Sequence, residues 1–134
     1  MLGVSNLDLA DGLRLMQQAS GGEYFGHVAH LRFAWAVIDE ADDAEDAARV
    51  VCLTIRHASE LGGNPAKYHT TVTIFWIRLL EYLRRTHPDV SSLIEMLDRH
   101  PPLGDPSLPE RHWSNLESDE TRTSWVEPDL IPLP

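Results

Sequence analysis

The sequence predicts an all-α protein, a compact bundle of four to five helices with an irregular proline-rich C-terminal arm. Three long segments carry the 3.6-residue period of apolar side chains that is typical of helices, and none carries the two-residue alternation of a half-buried strand. Most of the nine prolines lie after residue 100, and a proline inside a helix removes a backbone hydrogen bond. These patterns favour helices up to residue 100 and an irregular segment beyond it.

The length of 134 residues predicts one helical domain over residues 1–134, because that is an ordinary size for a single domain. We divide it into a weak N-terminal helix within residues 1–22, a helical core over 23–100 and the C-terminal arm over 101–134. One cysteine excludes an internal disulfide. Cys52 lies in an apolar helical run, where we expect a buried, inert thiol.

The N-terminal helix is predicted over residues 7–19, and the first strong helix over residues 23–40. In the latter, the spacing of one set of apolar residues places them on a single face. This inward set is Tyr24, Val28, Leu31, Trp35 and Ile38. Further apolar residues occupy the other side, namely Phe25, Phe33 and Val37. We therefore expect this helix to be central and surrounded by others.

The second strong helix is predicted over residues 43–61. Asp42 or Asp43 is a suitable N-cap, because its carboxylate can accept a hydrogen bond from a backbone N–H of the first turn. Two glycines at 62 and 63 end the helix. Small side chains dominate its inward stripe, which suits a close helix contact: Ala44, Ala47, Ala48, Val51, Ile55 and Ala58.

The third strong helix is predicted over residues 68–85, and a shorter one follows the break at His87-Pro88 and covers residues 89–99. The inward residues of the third helix are Val72, Trp76, Leu79, Leu80 and Leu83. Beyond residue 100 we expect mostly extended chain laid over the helices. Trp113 and Trp125 would anchor it, and one short helix is expected over residues 117–126.

The charge balance argues against several classes of partner. The chain has 21 acidic and 11 basic residues, a net charge of -10, whereas nucleic-acid phosphates and anionic membranes require clustered Lys and Arg. No apolar run approaches the roughly 18 residues of a membrane span, and no signal peptide is visible. We expect a cytoplasmic protein whose acidic run at residues 39–46 is a solvated corner.

A first candidate site lies at the start of the first strong helix. Glu23, His27 and His30 are spaced by four and three residues, so their side chains project within a narrow arc of a helix. Two imidazoles one turn apart can hold a divalent metal, and a carboxylate can complete the set. The alternative is that the histidines are hydrogen-bonded at the edge of the core. His57 and His87 are predicted to face solvent.

A second candidate site lies at the start of the third strong helix. The positive end of the helix dipole would lower the pKa of His69 and favour a neutral imidazole, which can ligate a metal or accept a proton. Thr71 and Thr73 carry hydroxyls that a buried face would not hold without partners. Tyr68 adds a phenol. Polar groups in an otherwise apolar helix start indicate a site in a bundle interior.

These two segments resemble the paired motifs of a family of small uncharacterised bacterial helical proteins. The chain has His-x-x-His-Leu-Arg-Phe-Ala-Trp at residues 27–35 and Tyr-His-x-Thr-x-Thr at residues 68–73, and the similarity covers residues 24–134. Thr70 stands where the family often has Glu or His, so an acid or base is missing there. The resemblance implies no activity. It implies that one site contains His27, His30, Tyr68, His69, Thr71 and Thr73.

We therefore predict a small bacterial enzyme or cofactor-binding protein with a His-lined interior pocket for a small molecule. In its metal form, His27, His30 and His69 bind a divalent transition metal, and three imidazoles suit Zn, Fe, Cu or Ni. In its metal-free form, imidazole and phenol act as general acid and base. The candidate catalytic residues are Tyr68, His69 and Glu23. The candidate substrate contacts are Arg32, Thr71, Thr73 and Trp76.

Each of these assignments has a structural alternative. Arg32 would pair with a nearby acid such as Asp39 or Glu40, and Trp76 would pack in the core. At the level of the whole protein, the alternative is a non-catalytic helical binding or assembly module. Its histidines would be structural, and its tail at residues 128–134 would dock on a partner or on a second copy of the chain, as a homodimer.

Overall fold

A computed structural model of the protein describes residues 7–21 and 26–134. All regular secondary structure in these residues is helical, which confirms the predicted class. The α-helices are α1 (Leu9–Ser20), α2 (His27–Glu40), α3 (Ala44–Leu61), α4 (Thr70–Thr86), α5 (Leu93–Arg99) and α6 (Asp119–Thr123). Short 3-10 turns cover Pro65–Lys67, Pro101–Gly104 and Leu108–Arg111. Across the described ranges, every helix is too short or too polar to cross a membrane.

The chain divides into two compact units, a first unit over Met1–Tyr68 and a second over His69–Pro134. The predicted single domain over residues 1–134 stays a prediction. In the first unit α1, α2 and α3 pack against one another. Local caps fix where two of these helices begin. The Asp8 carboxylate accepts from the Asp11 N–H at 3.0 Å, and the predicted N-cap Asp43 accepts from the Asp46 N–H at 2.8 Å.

Helix α2 is the central helix of the first unit, as its two apolar sides predict. Phe33 and Val37, which the period places away from the inward stripe, are fully buried. The prediction that Val28 faces inward is wrong, because 41% of this residue is exposed to solvent. The reason is that α2 contacts both α1 and α3, so its buried arc is centred between the two predicted faces. Glu23, Tyr24 and Phe25 lie outside the described residues.

Helices α1 and α3 approach each other closely at Gly12 and Thr54. A Cβ atom placed on Gly12 would lie 2.0 Å from the Thr54 hydroxyl oxygen, so no other residue fits there without movement. That hydroxyl donates to the Val50 carbonyl at 2.7 Å, which satisfies a side chain with no solvent exposure. Val50 and Thr54 are buried residues that the predicted stripe of α3 omits.

In the second unit α4 begins at Thr70, not at residue 68 as predicted, because the preceding backbone is extended. Tyr68 has φ -77° and ψ 139°, and His69 has φ -142° and ψ 111°, so neither belongs to the helix. His69 is instead the N-cap. The buried face of α4 includes two residues missing from the predicted stripe, Phe75 and Ile77.

The C-terminal segment, residues 101–134, contains two 3-10 turns and α6, and the mostly extended arm stays a prediction. Both 3-10 turns have proline in their first turn, where its missing N–H costs nothing. Trp113 anchors this segment as predicted, since it is buried and its indole N–H donates to the Val126 carbonyl at 2.9 Å. Trp125 contacts it edge-on, with ring centroids 5.6 Å apart.

Candidate functional site

The first unit contains a cleft of about 360 Å³ between its three helices and the turn that follows α3. We call this the α1–α3 cleft. Its lining residues are Met16, His30, Ile55, Ala58, Ser59, Gly62, Asn64 and Lys67. Among these described residues Lys67 is the only cation and none is acidic. In a protein of net charge -10, the described lining of this cleft thus contains no carboxylate.

The turn after α3 shapes one wall of the cleft. Gly62 ends the helix with its N–H bonded to the Ala58 carbonyl at 3.0 Å, and Gly63 takes the left-handed conformation with φ +73°. The Asn64 N–H then reaches back to the Ser59 carbonyl at 3.0 Å. This closed turn carries the chain into the Pro65–Lys67 turn, and so places Lys67 at the cleft.

His30 supplies an imidazole to the cleft. Its Nδ1 lies 2.8 Å from the Gly26 carbonyl, so Nδ1–H is the donor and Nε2 carries the lone pair. Burial lowers the pKa of His30, the positive charges of His27 and Lys67 lower it further, and only the Gly26 hydrogen bond acts in the opposite direction. His30 is therefore neutral at pH 7 and can accept a proton.

Tyr68 and Cys52 form a separate contact in the first unit. The Tyr68 hydroxyl hydrogen-bonds with the Cys52 thiol, but burial has the larger effect and raises the pKa of Cys52. The thiol therefore stays protonated near neutral pH, which agrees with the predicted inert role. Cys52 is half-buried, not fully buried as predicted.

In the second unit His69 makes two hydrogen bonds to backbone groups. Its Nδ1 accepts from the Val72 N–H at 3.2 Å, and its Nε2–H donates to the Leu116 carbonyl at 2.6 Å. The first bond requires a neutral imidazole, because a protonated Nδ1 cannot accept. The pKa of His69 is lowered as predicted, but the main cause is burial and not the helix end alone, with a smaller contribution from Arg122.

The two threonines of the motif also bond to backbone carbonyls. The Thr71 hydroxyl donates to Ser124 and the Thr73 hydroxyl donates to His69, both at 2.7 Å. Thr121 donates to the same Leu116 carbonyl that His69 uses, at 3.1 Å. His69 and Thr71 thus fasten residues 116–124 to the start of α4, and Thr73 bonds within that start. We call this arrangement the α4 clasp.

Arg32 and Trp76 are two predicted substrate contacts for which the sequence also offers a structural role, an ion pair for Arg32 and core packing for Trp76. Arg32 is exposed. Glu40 pairs with Arg14 at 3.6 Å, and the ion pair of Arg32 with an acid such as Asp39 or Glu40 stays a prediction. Trp76 is 8% exposed and lies edge-on to Phe75, with ring centroids 5.0 Å apart, as expected of a core residue.

The predicted metal ligands are divided between the two units. His27 and His30 occupy the first turn of α2, and His69 belongs to the second unit. A role for His69 as a ligand would require it to break one of its two backbone bonds. No group of three or more His, Cys, Asp or Glu side chains that could hold a metal ion is found over residues 7–21 and 26–134. The three-histidine set stays a prediction.

A histidine pair at His87 and His100 is the polar contact that sequence reasoning missed. The prediction that His87 faces solvent is wrong, because this residue is half-buried. Its Nε2 lies 3.3 Å from Nε2 of His100. The only signal was that a histidine directly follows each of two successive helices, His87 after α4 and His100 after α5. Sequence reasoning also missed three lining residues of the cleft, Ser59, Asn64 and Lys67. The only signal for them was their position around the turn at the two glycines, residues 62 and 63.

The lowered pKa values of His30 and His69 predict that acidification destabilises the protein. The unfolded histidines take up protons near pH 6.5, while the folded ones resist protonation to lower pH. The contribution of these groups is therefore complete above about pH 6.5 and is lost as pH falls through their folded pKa values. Urea unfolding at pH 7.5 and at pH 5 should show the decrease.

The variant His69→Gln separates this effect from other causes of acid sensitivity. It should lose stability at pH 7.5 and should show a smaller further loss on going to pH 5 than the wild type. Thr71→Val is the matched control, since it removes a clasp bond without removing an imidazole, and its loss should be similar at both pH values. An unchanged pH dependence in His69→Gln would contradict the assignment.

Comparisons with protein-family models, with curated proteins and with solved structures found no match for this chain. The resemblance to a family of small bacterial helical proteins stays a prediction. The case for a function consequently depends on the residues and their geometry.

Proposed function

We propose that the α1–α3 cleft binds a small molecule that carries an acidic group, and that His30 accepts a proton from it. The observation that carries this proposal is the composition of the lining, which combines Lys67 and a neutral imidazole with no acidic side chain among the described residues. The chain has 21 acidic and 11 basic residues, so its charge is negative on average, whereas the charge of this lining is positive.

The size and polarity of the cleft indicate the class of ligand. A volume of about 360 Å³ lies at the small end of the usual range for ligand sites, so it suits a metabolite and not an extended cofactor. Met16, Ile55 and Ala58 offer apolar surface on one side. Ser59 and Asn64 offer hydrogen-bonding groups beside the lysine. A short-chain carboxylic acid or phosphate ester has the matching combination of an apolar part and an anionic end.

The electrostatics support proton transfer to His30 after the ligand binds. Without a ligand, the cationic charge of Lys67 helps to keep His30 neutral. An anion beside Lys67 would offset that charge and raise the pKa of His30, which makes its Nε2 a better base. General base catalysis of this kind contributes about 10²- to 10⁴-fold in rate. Isomerisation, elimination and cyclisation of a small acid are the reactions that such a base would serve.

Binding of butyrate and inorganic phosphate, with butyramide as an uncharged match, tests the proposal on the full chain. We expect the anions to shift the amide signals of cleft residues in NMR spectra and butyramide to leave them nearly unchanged. Lys67→Met should weaken anion binding by about tenfold or more, the loss of one charge-assisted contact. Lys67→Arg is the control that keeps the charge.

Two results would overturn the proposal. One is equal binding of butyrate and butyramide, because the cleft would then select only apolar shape. The other is unchanged anion binding in Lys67→Met, because the cation would then have no part in recognition.

A second candidate function, a non-catalytic binding or assembly module, is favoured by the α4 clasp. His69, Thr71 and Thr73 direct their side-chain bonds to backbone carbonyls and amides, as expected of structural groups. The tail also docks by its backbone, since the Leu130 N–H donates to the His112 carbonyl at 3.0 Å. In this candidate function the exposed side chains of Leu130 and Ile131 contact a second copy of the chain. Failure of all three probes to bind would favour it.

A further inference from the structure

We propose that His87 and His100 form a binding site for a divalent transition metal, with zinc as the best match. The site belongs to the second unit and shares no residue with the α1–α3 cleft, so it is independent of the function proposed above. Its central observation is the separation of 3.3 Å between the two Nε2 atoms.

This distance fits two ligands of one tetrahedral metal. Zinc–imidazole bonds are about 2.0–2.1 Å long, and two such bonds at a tetrahedral angle place their nitrogen atoms about 3.3 Å apart. The ring planes are nearly perpendicular, at 82°, and the centroids lie 4.7 Å apart, so the rings do not stack on each other. The two nitrogen atoms therefore already have the separation that a bound ion requires.

The orientation of His87 is fixed in the way that is usual for metal-binding histidines. Its Nδ1 lies 3.1 Å from the Leu83 carbonyl, so Nδ1–H donates there and the lone pair lies on Nε2, facing His100. A backbone carbonyl that holds the second ring nitrogen of a ligand fixes its tautomer and its ring angle. The Thr86 hydroxyl lies 3.0 Å from the same Nδ1 and adds to this support.

Backbone bonds at two helix ends hold both histidines in place. His87 caps α4 with its N–H bonded to the Leu83 carbonyl at 2.9 Å, and His100 caps α5 with its N–H bonded to the Met96 carbonyl at 2.8 Å. The C-terminal end of the 17-residue α4 carries partial negative charge, which favours a cation. Asp89 adds a carboxylate that interacts electrostatically with His87, although its shortest described bond goes to Arg99.

Metal binding at this pair needs no loss of protons from neutral imidazoles. In the metal-free pair, His100 Nε2–H donates to His87 Nε2. When the ion enters, the proton on His100 moves to its Nδ1, and each Nε2 then donates its lone pair to the metal. Water molecules complete the coordination. Neutral imidazole pairs bind Zn, Ni and Cu, and the separation of 3.3 Å matches the tetrahedral geometry that zinc prefers.

The test is titration of the full chain with Zn²⁺, followed by Co²⁺ as a visible-light probe of tetrahedral coordination. We expect one ion per chain, and a tetrahedral cobalt spectrum that zinc displaces. His87→Gln and His100→Gln should each weaken binding by about tenfold or more, at least the loss seen when a supporting group of a ligand is removed. Circular dichroism should show the helical content of each variant to be intact.

Controls distinguish this pair from the other histidines. His57→Gln removes a histidine of the first unit and should leave zinc affinity unchanged. The double variant His27→Gln/His30→Gln removes the pair predicted from the sequence and should also leave it unchanged. Loss of zinc in that double variant, retention of zinc in both His87→Gln and His100→Gln, or an octahedral cobalt spectrum would each overturn the proposal. None of these outcomes depends on whether the cleft binds an anion.

Discussion

Gly12→Ala is expected to lower the free energy of unfolding by about 2 kcal/mol, within the range for overpacked core sites. The new Cβ would lie 2.0 Å from the hydroxyl oxygen of Thr54, a side chain without solvent exposure. Either α1 must move away from α3 or Thr54 must leave its rotamer and its bond to Val50. Both cost more than the roughly 1 kcal/mol by which Ala favours a helix over Gly. Urea unfolding followed by circular dichroism measures the change.

Two comparisons test the cause of this loss. Gly104→Ala is the matched control, because a Cβ there would meet nothing within 4 Å, and its effect should be within about 0.5 kcal/mol. Combining Gly12→Ala with Thr54→Ala removes the clashing oxygen and should recover part of the stability, as coupling between contacting residues requires. Wild-type stability in Gly12→Ala alone would refute the close approach of α1 and α3.

Phe75→Ala is expected to cost about 3–5 kcal/mol, the usual loss for truncation of a buried aromatic ring. Phe75 is 1% exposed and joins α4 to the C-terminal segment in the second unit. Its ring lies 5.3 Å from the His112 ring and 5.6 Å from the Trp113 ring, centroid to centroid. Because small domains have a total stability of about 5–15 kcal/mol, the loss should be visible as a large shift in the urea midpoint.

The conservative variant Phe75→Leu should lose clearly less than Phe75→Ala, because most of the apolar volume remains. Leu130→Ala provides the exposed control, since 54% of Leu130 is accessible to solvent, and its effect should be within about 0.5 kcal/mol. A loss below about 1 kcal/mol in Phe75→Ala would contradict a core in which the C-terminal segment packs on α4.

The helices could be predicted from the sequence wherever local chemistry fixes them. Asp43 caps α3 through a hydrogen bond within four residues, and Gly62 ends it, so both boundaries follow from neighbouring side chains. The inner faces were less predictable. Val28 is exposed and Phe33 is buried because two different helices contact α2, and the helical period cannot show where such partners lie.

For the polar residues, the need for hydrogen-bond partners could be predicted from the sequence, but the identity of the partners could not. His69 and Thr71 bond to residues 47 and 53 positions away, a pairing that only the tertiary fold determines. The hydroxyls have the partners that burial requires, namely backbone carbonyls, and their predicted contact with a substrate stays a prediction. His87 and His100 are 13 positions apart and meet because one helix and one turn return the chain, which spacing alone could not reveal.

The segments that line the cleft could be recognised in the sequence, but their meeting at one cleft could not. The helix predicted over residues 23–40 contains His27 and His30, which lie in the first turn of α2, and the predicted glycine break precedes Lys67. That His30 and Lys67 line one cleft follows from the packing of α1, α2 and α3, which no motif records. The predicted roles of Glu23 and Tyr68 stay predictions.

The pKa of His30, followed by NMR through its imidazole C–H signals, tests the central claim of an anion-binding cleft most directly. Without ligand, the pKa should lie below the ordinary value of a histidine, because burial and the charge of Lys67 favour the neutral ring. Butyrate or phosphate at a concentration near its wild-type Kd should raise it in the wild type and in Lys67→Arg. The same concentration should raise it much less in Lys67→Met, because that variant binds the anion about tenfold more weakly. A His30 pKa that stays constant at saturating anion, or that rises equally in Lys67→Met at the concentration near the wild-type Kd, would contradict the claim.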